Sequence, residues 1–360
     1  MKKWILSAAV MLQFWSFGQT VIPFVDYNKW MRTVEDGQFK YIELQEVKDY
    51  QAGDNLVAYL DIRGNLRVYD GKERHEISNM NLKYKISDKL LAWNVGTTLG
   101  VFDRGIKRTL SFFGGDYIVK DDLILWTDTR YNSIQVYYNG REFPIQVSTT
   151  DIILNNSEKI GENVVAYADN GGLYKIFYKG NFYEVGVWNG DIKLVSGTDI
   201  VAFNDPNTRT FAVFDAGEFL DVDMQWAKKY KAGRGFVVYV DANGNLKKYE
   251  RGKITDLSNF PGKWDVVDDI IWFENNGFSY VHYKGVTTQV ANFMTEEFAL
   301  KNGTAVFRNM MGGLNAFVAG EMVELTNMPN STFEIYGNSV LVKLANYDFI
   351  IYNNGKILRP

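Results

Sequence analysis

The sequence repeats a short pattern nine times, and this repeat constrains the fold more than any other feature. Each copy has a small or polar residue, three mostly apolar residues and, in all copies but the last, an aromatic residue. Self-similarity of this period is typical of repeat architectures. The copies end at Tyr59, Trp93, Trp126, Tyr167, Phe203, Tyr239, Phe273, Phe307 and Val342, which are about 35 residues apart.

A turn closed by glycine follows every copy of the pattern after a second apolar stretch. Glycine accepts the positive φ that a tight hairpin turn requires, whereas other residues adopt it at a cost. The second anchor keeps its phase relative to the first along the chain. The glycines are Gly71, Gly105, Gly140, Gly180, Gly217, Gly252, Gly285, Gly320 and Gly355.

Each unit predicts an antiparallel β-meander, because short apolar runs alternate with Gly, Asn and Asp. In the first unit, strands end at Tyr59 and Tyr69, and a third covers residues 73–78. A fourth, weaker strand at residues 82–86 leads into the next unit. No segment predicts a helix. Gly37, with a predicted strand at 38–44, indicates an incomplete tenth unit.

These units predict an all-β fold, a β-propeller of short four-stranded blades. A small sheet cannot bury both faces alone, and radial stacking covers them while leaving only short edges. We expect nine full units and a partial N-terminal one in a single domain over residues 19–360. One large ring, two smaller rings, or an eight-bladed ring with an irregular N-terminal part all agree with the repeat.

Over residues 20–360, the order of apolar run, turn, apolar run and glycine turn resembles the blades of TolB-like and quinoprotein-like propellers. The resemblance implies a fold and no particular function. The chain departs from these families in lacking their Ser-Pro-Asp-Gly turns. The Trp-Asp dipeptide of other propellers occurs only once, at Trp264-Asp265.

The N-terminus predicts a secretory signal peptide over residues 1–18. Lys2 and Lys3 precede an apolar stretch over residues 4–17, and small residues allow cleavage after Gly18. The mature chain would then begin at Gln19. We therefore expect a protein secreted across the inner membrane that is periplasmic or peripheral to the outer membrane.

Composition excludes several classes of function. The chain has no cysteine, so it has no disulfide, no thiolate metal site and no lipid anchor on an N-terminal Cys. Its formal net charge of −4 argues against nucleic acid as a partner, which requires a basic face. After the signal peptide no apolar run is long enough to span a membrane.

Motifs for metal or cofactor binding are not predicted. The two histidines, His75 and His282, occupy different positions of the repeat and lack metal-ligand spacing. Asp61 and Asp241 begin segments that look like calcium loops, but their glycine is in the wrong place and a strand follows at once. We interpret both segments as turns and expect no cofactor and no metal.

Acidic residues recur where the units begin, and a ring of carboxylates is one arrangement that could serve glycoside chemistry. Asn, Gly and Lys replace them in other units, which is how turn-forming residues behave. We therefore predict turn formers rather than catalytic groups, and a protein that is not an enzyme. The acidic residues are Asp121, Asp122, Asp199, Asp268 and Asp269.

Three tryptophans depart from the repeat and are the candidate binding residues. Trp188, Trp226 and Trp264 are predicted to lie in linkers between consecutive units. Exposed together at one end of a propeller, they would form an aromatic face for protein or glycan partners. Phe112 and Phe293 fill similar places, so the alternative is that such residues wedge between blades.

These features of the sequence predict two alternative functions. The first is a non-enzymatic interaction subunit with protein partners in the cell envelope. Its signal sequence and aromatic-rich repeats are similar to accessory proteins of type IX secretion systems, which implies plugging or gating an outer-membrane channel. The second is a propeller that binds or processes glycans or peptides at the mouth of its central channel.

Overall fold

The computed structural model describes residues 20–360 except 36, 80–81, 146, 148–153, 155, 189–191 and 347. The predicted signal peptide, residues 1–18, lies outside the described residues. The described chain folds into ten small antiparallel sheets, which we number in chain order. Consecutive strands pair in every sheet, so each sheet is a meander, as predicted. Within the described ranges, no helix is long and apolar enough to cross a membrane.

The first five sheets take up the N-terminal half of the chain. Sheet 1 is β1 (Phe24–Val25), β2 (Met31–Glu35) and β3 (Gln38–Glu43). Sheet 2 is β4 (Asp49–Ala52), β5 (Val57–Leu60), β6 (Leu66–Tyr69) and β7 (Arg74–Ser78). Sheet 3 is β8 (Lys83–Ile86), β9 (Leu90–Val95), β10 (Thr98–Asp103) and β11 (Ile106–Ser111). Sheet 4 is β12 (Gly114–Val119), β13 (Leu123–Asp128), β14 (Ser133–Tyr138) and β15 (Arg141–Ile145). Sheet 5 is β16 (Val164–Ala168), β17 (Leu173–Tyr178) and β18 (Asn181–Trp188).

The other five sheets have four strands each. Sheet 6 is β19 (Val195–Ser196), β20 (Ile200–Asn204), β21 (Phe211–Asp215) and β22 (Glu218–Asp223). Sheet 7 is β23 (Lys229–Ala232), β24 (Val237–Val240), β25 (Asn245–Glu250) and β26 (Lys253–Asn259). Sheet 8 is β27 (Trp264–Val267), β28 (Ile270–Asn275), β29 (Phe278–Tyr283) and β30 (Val286–Ala291). Sheet 9 is β31 (Phe298–Lys301), β32 (Thr304–Arg308), β33 (Leu314–Val318) and β34 (Glu321–Thr326). Sheet 10 is β35 (Thr332–Tyr336), β36 (Ser339–Lys343), β37 (Phe349–Asn353) and β38 (Lys356–Leu358).

Sheets 1 and 5 are the two with three strands. Sheet 1 corresponds to the last three strands of a unit, because its β2–β3 turn carries Gly37 where the other units have their turn glycine. In sheet 5 a single bridge from Ile160 to Val165 stands where the first strand would pair. A short 3-10 turn, Ser157–Lys159, precedes that bridge. The partial N-terminal unit predicted from Gly37 is confirmed.

The predicted boundary between units was wrong by one strand. The weak strand at residues 82–86 was assigned to the end of the first full unit, but β8 pairs with β9 of the following sheet. The sequence does not distinguish the two ways of dividing the chain into units, because the order of strands along the chain is the same in both. The connection Ser87–Lys89 is a tight turn that the Ser87 hydroxyl and backbone stabilise, so the pairing follows the shorter loop.

Neighbouring sheets stack face to face through buried apolar clusters. Strand β13 shows how the repeated apolar run supplies both faces: Leu123 and Leu125 pack toward sheet 5, whereas Ile124 and Trp126 pack toward sheet 3. All four are at most 1% exposed. The run is therefore buried on both sides, as the sequence predicted, because period-two alternation sends successive side chains to opposite faces.

The stack closes into a ring between sheets 1 and 10. Phe24 and Val34 of sheet 1 share a buried cluster with Tyr336, Leu341 and Ile351 of sheet 10. The ring of Phe24 also lies 5.3 Å from that of Phe349. On the other side, sheet 1 packs against sheet 2. Ten radial sheets thus form one closed propeller, rather than two rings or an eight-bladed ring.

Candidate functional site

The first strands of the sheets lie nearest the ring axis, where successive first strands such as β23 and β27 contact each other. A short loop joins each first strand to the second, and we call its central residue the axial residue. These loops meet across the ring, because axial residues of non-adjacent sheets are in contact. In sheets 2 to 10 the axial residues are Asp54, Asp88, Asp121, Glu162, Thr198, Arg234, Asp268, Asn302 and Gly337.

Backbone contacts between successive axial loops require small residues. The amide N–H of Asp54 donates to Oδ1 of Asp88, and that of Asp88 donates to Oδ1 of Asp121. A Cβ on Gly161 or Gly197 would meet the carbonyl oxygen of the next loop, which leaves room only for glycine. The recurring Asp and Gly residues therefore form turns, as predicted, and also join one sheet to the next.

Lys301, next to an axial residue, bridges three sheets. Its ammonium lies 2.6 Å from Oδ1 of Asp54 and 3.0 Å from Oδ1 of Asp88. Burial alone would lower the pKa of Lys301, but the two carboxylates outweigh it and raise the pKa. The lysine therefore stays charged and neutralises part of the acidic side of the axis.

Arg234 neutralises carboxylates in another part of the axial region, as Lys301 does for Asp54 and Asp88. Its guanidinium lies 3.2 Å from Oε1 of Glu162 and 3.7 Å from Oδ1 of Asp268, and it donates to Oδ1 of Asn302 at 2.8 Å. Burial alone would lower its pKa, yet these acidic neighbours raise it. Two cations and several carboxylates thus form one network at the axis.

Burial, together with nearby acidic groups, raises the pKa of three axial carboxyls, Asp54, Asp121 and Asp268. Burial and the charges of Asp88 and Glu162 raise the pKa of Asp121 to about 7. Burial, together with Glu162, raises the pKa of Asp268 to about 6 against a hydrogen bond from the Asn302 amide. Carboxyl groups with shifted pKa values occur both in functional centres and in structural ion networks.

A cavity of about 810 Å³ opens at this axial end of the ring. Its wall is mostly polar, and Tyr283 is its only aromatic residue among those described. Of its lining carboxylates, Asp54 pairs with Lys301 and Glu35 with Lys40, whereas the buried Oδ1 of Asp269 has no hydrogen-bond partner among the described residues. The acidic convergence expected of a channel-mouth site is present, whereas the expected set of aromatic side chains is not. The lining includes Thr20, Glu35, Asp54, Arg234, Asn302 and Asn338.

The two histidines lie apart from the axial network. Burial and the charge of Lys248 lower the pKa of His282 in β29 to about 4, and its Nδ1 lies 2.9 Å from the Thr287 hydroxyl. His75 Nε2 lies 3.0 Å from Asp70 Oδ2 and 3.8 Å from Glu73 Oε1.

The cluster of Asp70, Glu73 and His75 has a donor set that could hold a metal ion. The two oxygens of Asp70 are already used, however. Oδ1 accepts from the backbone amides of Lys72 and Glu73, and Oδ2 lies against His75. These contacts are those of a hairpin turn that its own side chains stabilise.

The calcium-like segments are turns, as predicted. Oδ1 of Asp61 accepts the backbone amides of Arg63 and Asn65, and its Oδ2 accepts from Arg67. Asp241 makes the matching contacts in β24–β25 with the amides of Asn243 and Asn245. Every carboxylate oxygen in these loops therefore has a protein donor.

The opposite end of the ring carries the three tryptophans. Because strands alternate in direction, the turns between second and third strands and the links between sheets lie at this end, which we call the linker face. Trp188 is 62% exposed and lies over the turn at Gly171. Trp226 is 51% exposed, and its Nε1 donates to the carbonyl of Asp205 at 3.1 Å.

Trp264 differs from the other two. It begins the inner strand β27, is half-buried against sheet 7 and lies 6.0 Å from the Lys231 ammonium. Trp188 is also in a strand, at the end of β18, so only Trp226 lies in a linker as predicted. The three tryptophans are spaced slightly further apart than the repeat length, so each one lies at a different position in its sheet.

Two further features of the linker face were not singled out from the sequence. A groove of about 450 Å³ brings Trp264 together with the lysines of the run 228–231 and with Lys193 and Lys263. The sequence feature that could have indicated this groove is the run Lys228-Lys229-Tyr230-Lys231. Exposed large apolar residues also recur around this face, at Phe112, Phe113, Tyr131, Met224, Phe260, Met294, Met310 and Met311.

Three solved structures are among those to which this chain is similar. The computationally designed Ika8 protein is 13% identical with a TM-score of 0.37, and the match covers 93% of this chain and 99% of that one. AztD from Citrobacter koseri is 11% identical with a TM-score of 0.35, covering 85% and 90%. PorZ, a surface component of the type-IX secretion system of Porphyromonas gingivalis, is 10% identical with a TM-score of 0.26, covering 94% and 57%. No curated protein matches the chain.

The family comparison is more specific than these structural likenesses. The model of a 10-bladed beta propeller domain matches residues 16–358, nearly the whole chain. The resemblance to TolB-like and quinoprotein-like propellers is thus confirmed as a β-propeller fold, with a blade count of its own. The ten sheets, the closed ring and this match agree that the chain belongs to the family of 10-bladed beta propeller domains.

Proposed function

We propose that the protein is a non-enzymatic interaction subunit of a cell-envelope complex that binds a partner protein through its linker face. The observation that carries this proposal is the recurrence of exposed aromatic and methionine side chains around that one face. Trp, Tyr, Phe and Met are enriched at the centres of protein interfaces, where their burial contributes most of the binding energy. The signal sequence predicted at residues 1–18 supports an envelope location.

The chemistry of the linker face also indicates the kind of partner. Lys228 and Lys229 line the groove beside Trp264, and neither has an acidic partner within ion-pair distance among the described residues. A partner with an apolar surface and adjoining carboxylates would complement both features. An outer-membrane channel that the propeller plugs or gates is the assembly that we propose for such a partner.

The experiment is to tag the protein in its native cell, extract membranes in mild detergent and identify the proteins that co-purify. The test variant combines Trp188→Ala with Trp226→Ala, which removes two exposed side chains of the linker face. The control is Phe182→Ala, because Phe182 is 47% exposed on the outer strand β18. We expect an envelope protein with the native chain and the control, and at least a tenfold loss with the double variant. A protein that is recovered alone and monomeric contradicts the proposal.

A second candidate is a small ligand at the axial end, and the 810 Å³ cavity favours it. Two of its lining carboxylates, Glu35 and Asp54, already pair with lysines, which argues for binding rather than hydrolysis. Glycan-array binding that Asn338→Ala weakens, with the linker-face variant unaffected, would support this candidate over the first.

A further inference from the structure

Three consecutive sheets carry a lysine where the inner strand begins, five residues before the axial residue. These are Lys193, Lys229 and Lys263 in sheets 6, 7 and 8. In sheets 2, 4, 5, 9 and 10 the equivalent residue is acidic or carries a hydroxyl, and sheet 3 has a lysine there, Lys83. The linker-face mouth of the central channel is therefore basic along one arc of the ring.

Most lysines of this arc already have a partner in an adjacent sheet. The ammonium of Lys193 lies 2.9 Å from a carboxylate oxygen of Glu158. That of Lys231, in the same inner strand as Lys229, lies 2.6 Å from Oδ1 of Asp265 in sheet 8. Lys263 reaches sheet 9, where its ammonium lies 4.6 Å from the centre of a phenylalanine ring.

Lys229 differs from these lysines because no partner stands opposite it. Its side chain points the same way as that of Lys231, since residues two apart in a strand share a face. Among the described residues, neither Lys229 nor the exposed Lys228 beside it has an acidic group within ion-pair distance. The wall that sheet 8 contributes to the 450 Å³ groove brings no carboxylate, because it consists of Gly262, Lys263 and Trp264.

Trp264 gives the groove an apolar wall beside these two cations. Its indole is half-buried against sheet 7. An inorganic anion would contact the lysines and leave the indole in water. A peptide segment with carboxylates on both sides of an apolar side chain would use both features, through charge-assisted hydrogen bonds and through burial of apolar surface.

The acidic residues at the equivalent position in two other sheets have partners within the chain. Glu297 of sheet 9 pairs with Arg308 at 2.6 Å. Asp49 of sheet 2 accepts from the Tyr84 hydroxyl at 2.7 Å. The charge that the chain leaves open at this mouth is therefore the positive charge of sheet 7, which attracts an anionic occupant.

We infer that the groove binds an extended acidic segment of the partner protein, with carboxylates on Lys228 and Lys229 and an apolar side chain against Trp264. The inference rests on the proposed function, since it requires a partner that docks on the linker face. It adds the form of the contact, which is a segment that enters the channel mouth and not only a folded surface against the rim. Attraction between such charges speeds association and weakens with salt.

The test uses the fluorescein-labelled peptide Asp-Glu-Phe-Glu-Asp, whose binding to the purified protein is measured by fluorescence anisotropy at low salt. We expect saturable binding that weakens about tenfold or more when Lys228→Gln and Lys229→Gln are combined. The matched control combines Lys253→Gln with Lys356→Gln, which removes the same charge from the outer strands β26 and β38 and should leave binding unchanged. Circular dichroism checks that each variant is folded.

Two further probes show which part of the peptide is recognised. The neutral peptide Asn-Gln-Phe-Gln-Asn should bind about tenfold more weakly than the acidic one. Pyrophosphate, added as a competitor, should displace the acidic peptide only weakly. Trp264→Leu should weaken binding of the acidic peptide, because the indole contact is lost.

Several results would overturn the inference. Equal losses in the lysine variant and in its control would show attraction to the overall charge of the protein. A neutral peptide that binds as tightly as the acidic one would remove the role of the cations, and failure of the acidic peptide to bind the folded protein would remove the site. Full displacement by pyrophosphate, with no effect of Trp264→Leu, would identify a site for small anions instead of a peptide.

Co-purification from native membranes separates failure of this inference from failure of the proposed function. The variant with both lysines replaced should lose the envelope partner. Retention of the partner by that variant would contradict the acidic segment and leave the proposed function standing. A native chain that recovers no partner contradicts the proposed function, whereas the peptide measurement still decides whether the groove accepts an acidic segment.

Discussion

The ammonium of Lys301 lies 2.6 Å from a carboxylate oxygen of Asp54, although the two residues belong to sheets 9 and 2. Sheets 10 and 1 lie between them around the ring, so the contact reaches across the axis to a sheet that is not a neighbour. The same lysine reaches Asp88 of sheet 3. One side chain therefore links a sheet from the C-terminal part of the chain to two sheets from the N-terminal part.

Replacing this lysine should destabilise the ring. Lys301→Met leaves Asp54 and Asp88 facing each other without their cation, and we expect unfolding to become easier by about 2 kcal/mol, since the lysine is partly exposed. The control is Lys193→Met, whose partner Glu158 is about as exposed as the lysine itself. Urea denaturation followed by circular dichroism measures both. Equal midpoints for the two variants would show that the axial pair contributes no more than a surface pair.

Asp121 makes stability depend on pH in the direction opposite to ordinary acid denaturation. Its pKa is raised to about 7 in the folded protein, so its folded form binds a proton that the unfolded form has released. The stability that this proton contributes is complete below about pH 4, the usual pKa of an aspartate, and is lost as the pH rises through 7.

Asp121→Asn keeps the oxygen that accepts from the Asp88 amide and cannot ionise. We expect the variant to match the native protein near pH 4.5 and to melt at a higher temperature at pH 8. Thermal melts at both values measure the difference between the two proteins, so other titrating groups cancel. A constant difference across this range would contradict the raised pKa.

The predicted turns and strands followed from residues that act within one unit. Asp61 caps its own turn and Gly71 closes its own hairpin, so local spacing was enough to place them. The axial network was not predictable in this way. The acidic residue Asp121 was noticed, but its partners lie in other sheets, and which sheets meet across the axis depends on the number of blades.

The tryptophans illustrate the same limit at the other end of the ring. Trp188 and Trp264 look equivalent in the sequence because each precedes a new unit. One ends an outer strand and the other begins an inner strand, because the position of each strand boundary depends on pairing with a neighbour. Exposure could not be deduced from spacing alone.

Gly197 should tolerate no side chain. A Cβ there would overlap the carbonyl oxygen of Gly233 in the next axial loop, and neither backbone can retreat without breaking a contact between sheets. We expect Gly197→Ala to cost about 2 kcal/mol or more, as overpacking in a rigid core does. Gly171→Ala is the matched control, because the atom nearest to its added Cβ is a side-chain oxygen of Asp169 at 3.3 Å rather than a backbone carbonyl. Chemical denaturation compares the two, and a similar loss in both would show that the loops can separate.

His282 should titrate far below the ordinary histidine range. Burial and Lys248 lower its pKa to about 4, so the folded protein holds it neutral while the unfolded chain protonates near pH 6.5. The stability that neutral His282 contributes is present above pH 6.5 and is lost as the pH falls toward 4.

The chain has two histidines, so proton NMR of their ring signals can follow each one. We expect one signal to shift with a midpoint near pH 4 and to vanish in His282→Gln. A midpoint near 6.5 for that signal would contradict the burial of His282 beside Lys248.

The seam of the ring has a further consequence. Sheet 1 is built entirely from the N-terminal part of the chain and sheet 10 entirely from the C-terminal part, so side-chain packing rather than a shared sheet closes the circle. The seam is therefore an interface of the same kind as the other nine. A circular permutant that joins the ends and opens any linker between sheets should keep all ten interfaces. Duplication or deletion of a whole unit would likewise change the circumference without creating a new kind of contact, which gives such rings a simple route to different sizes.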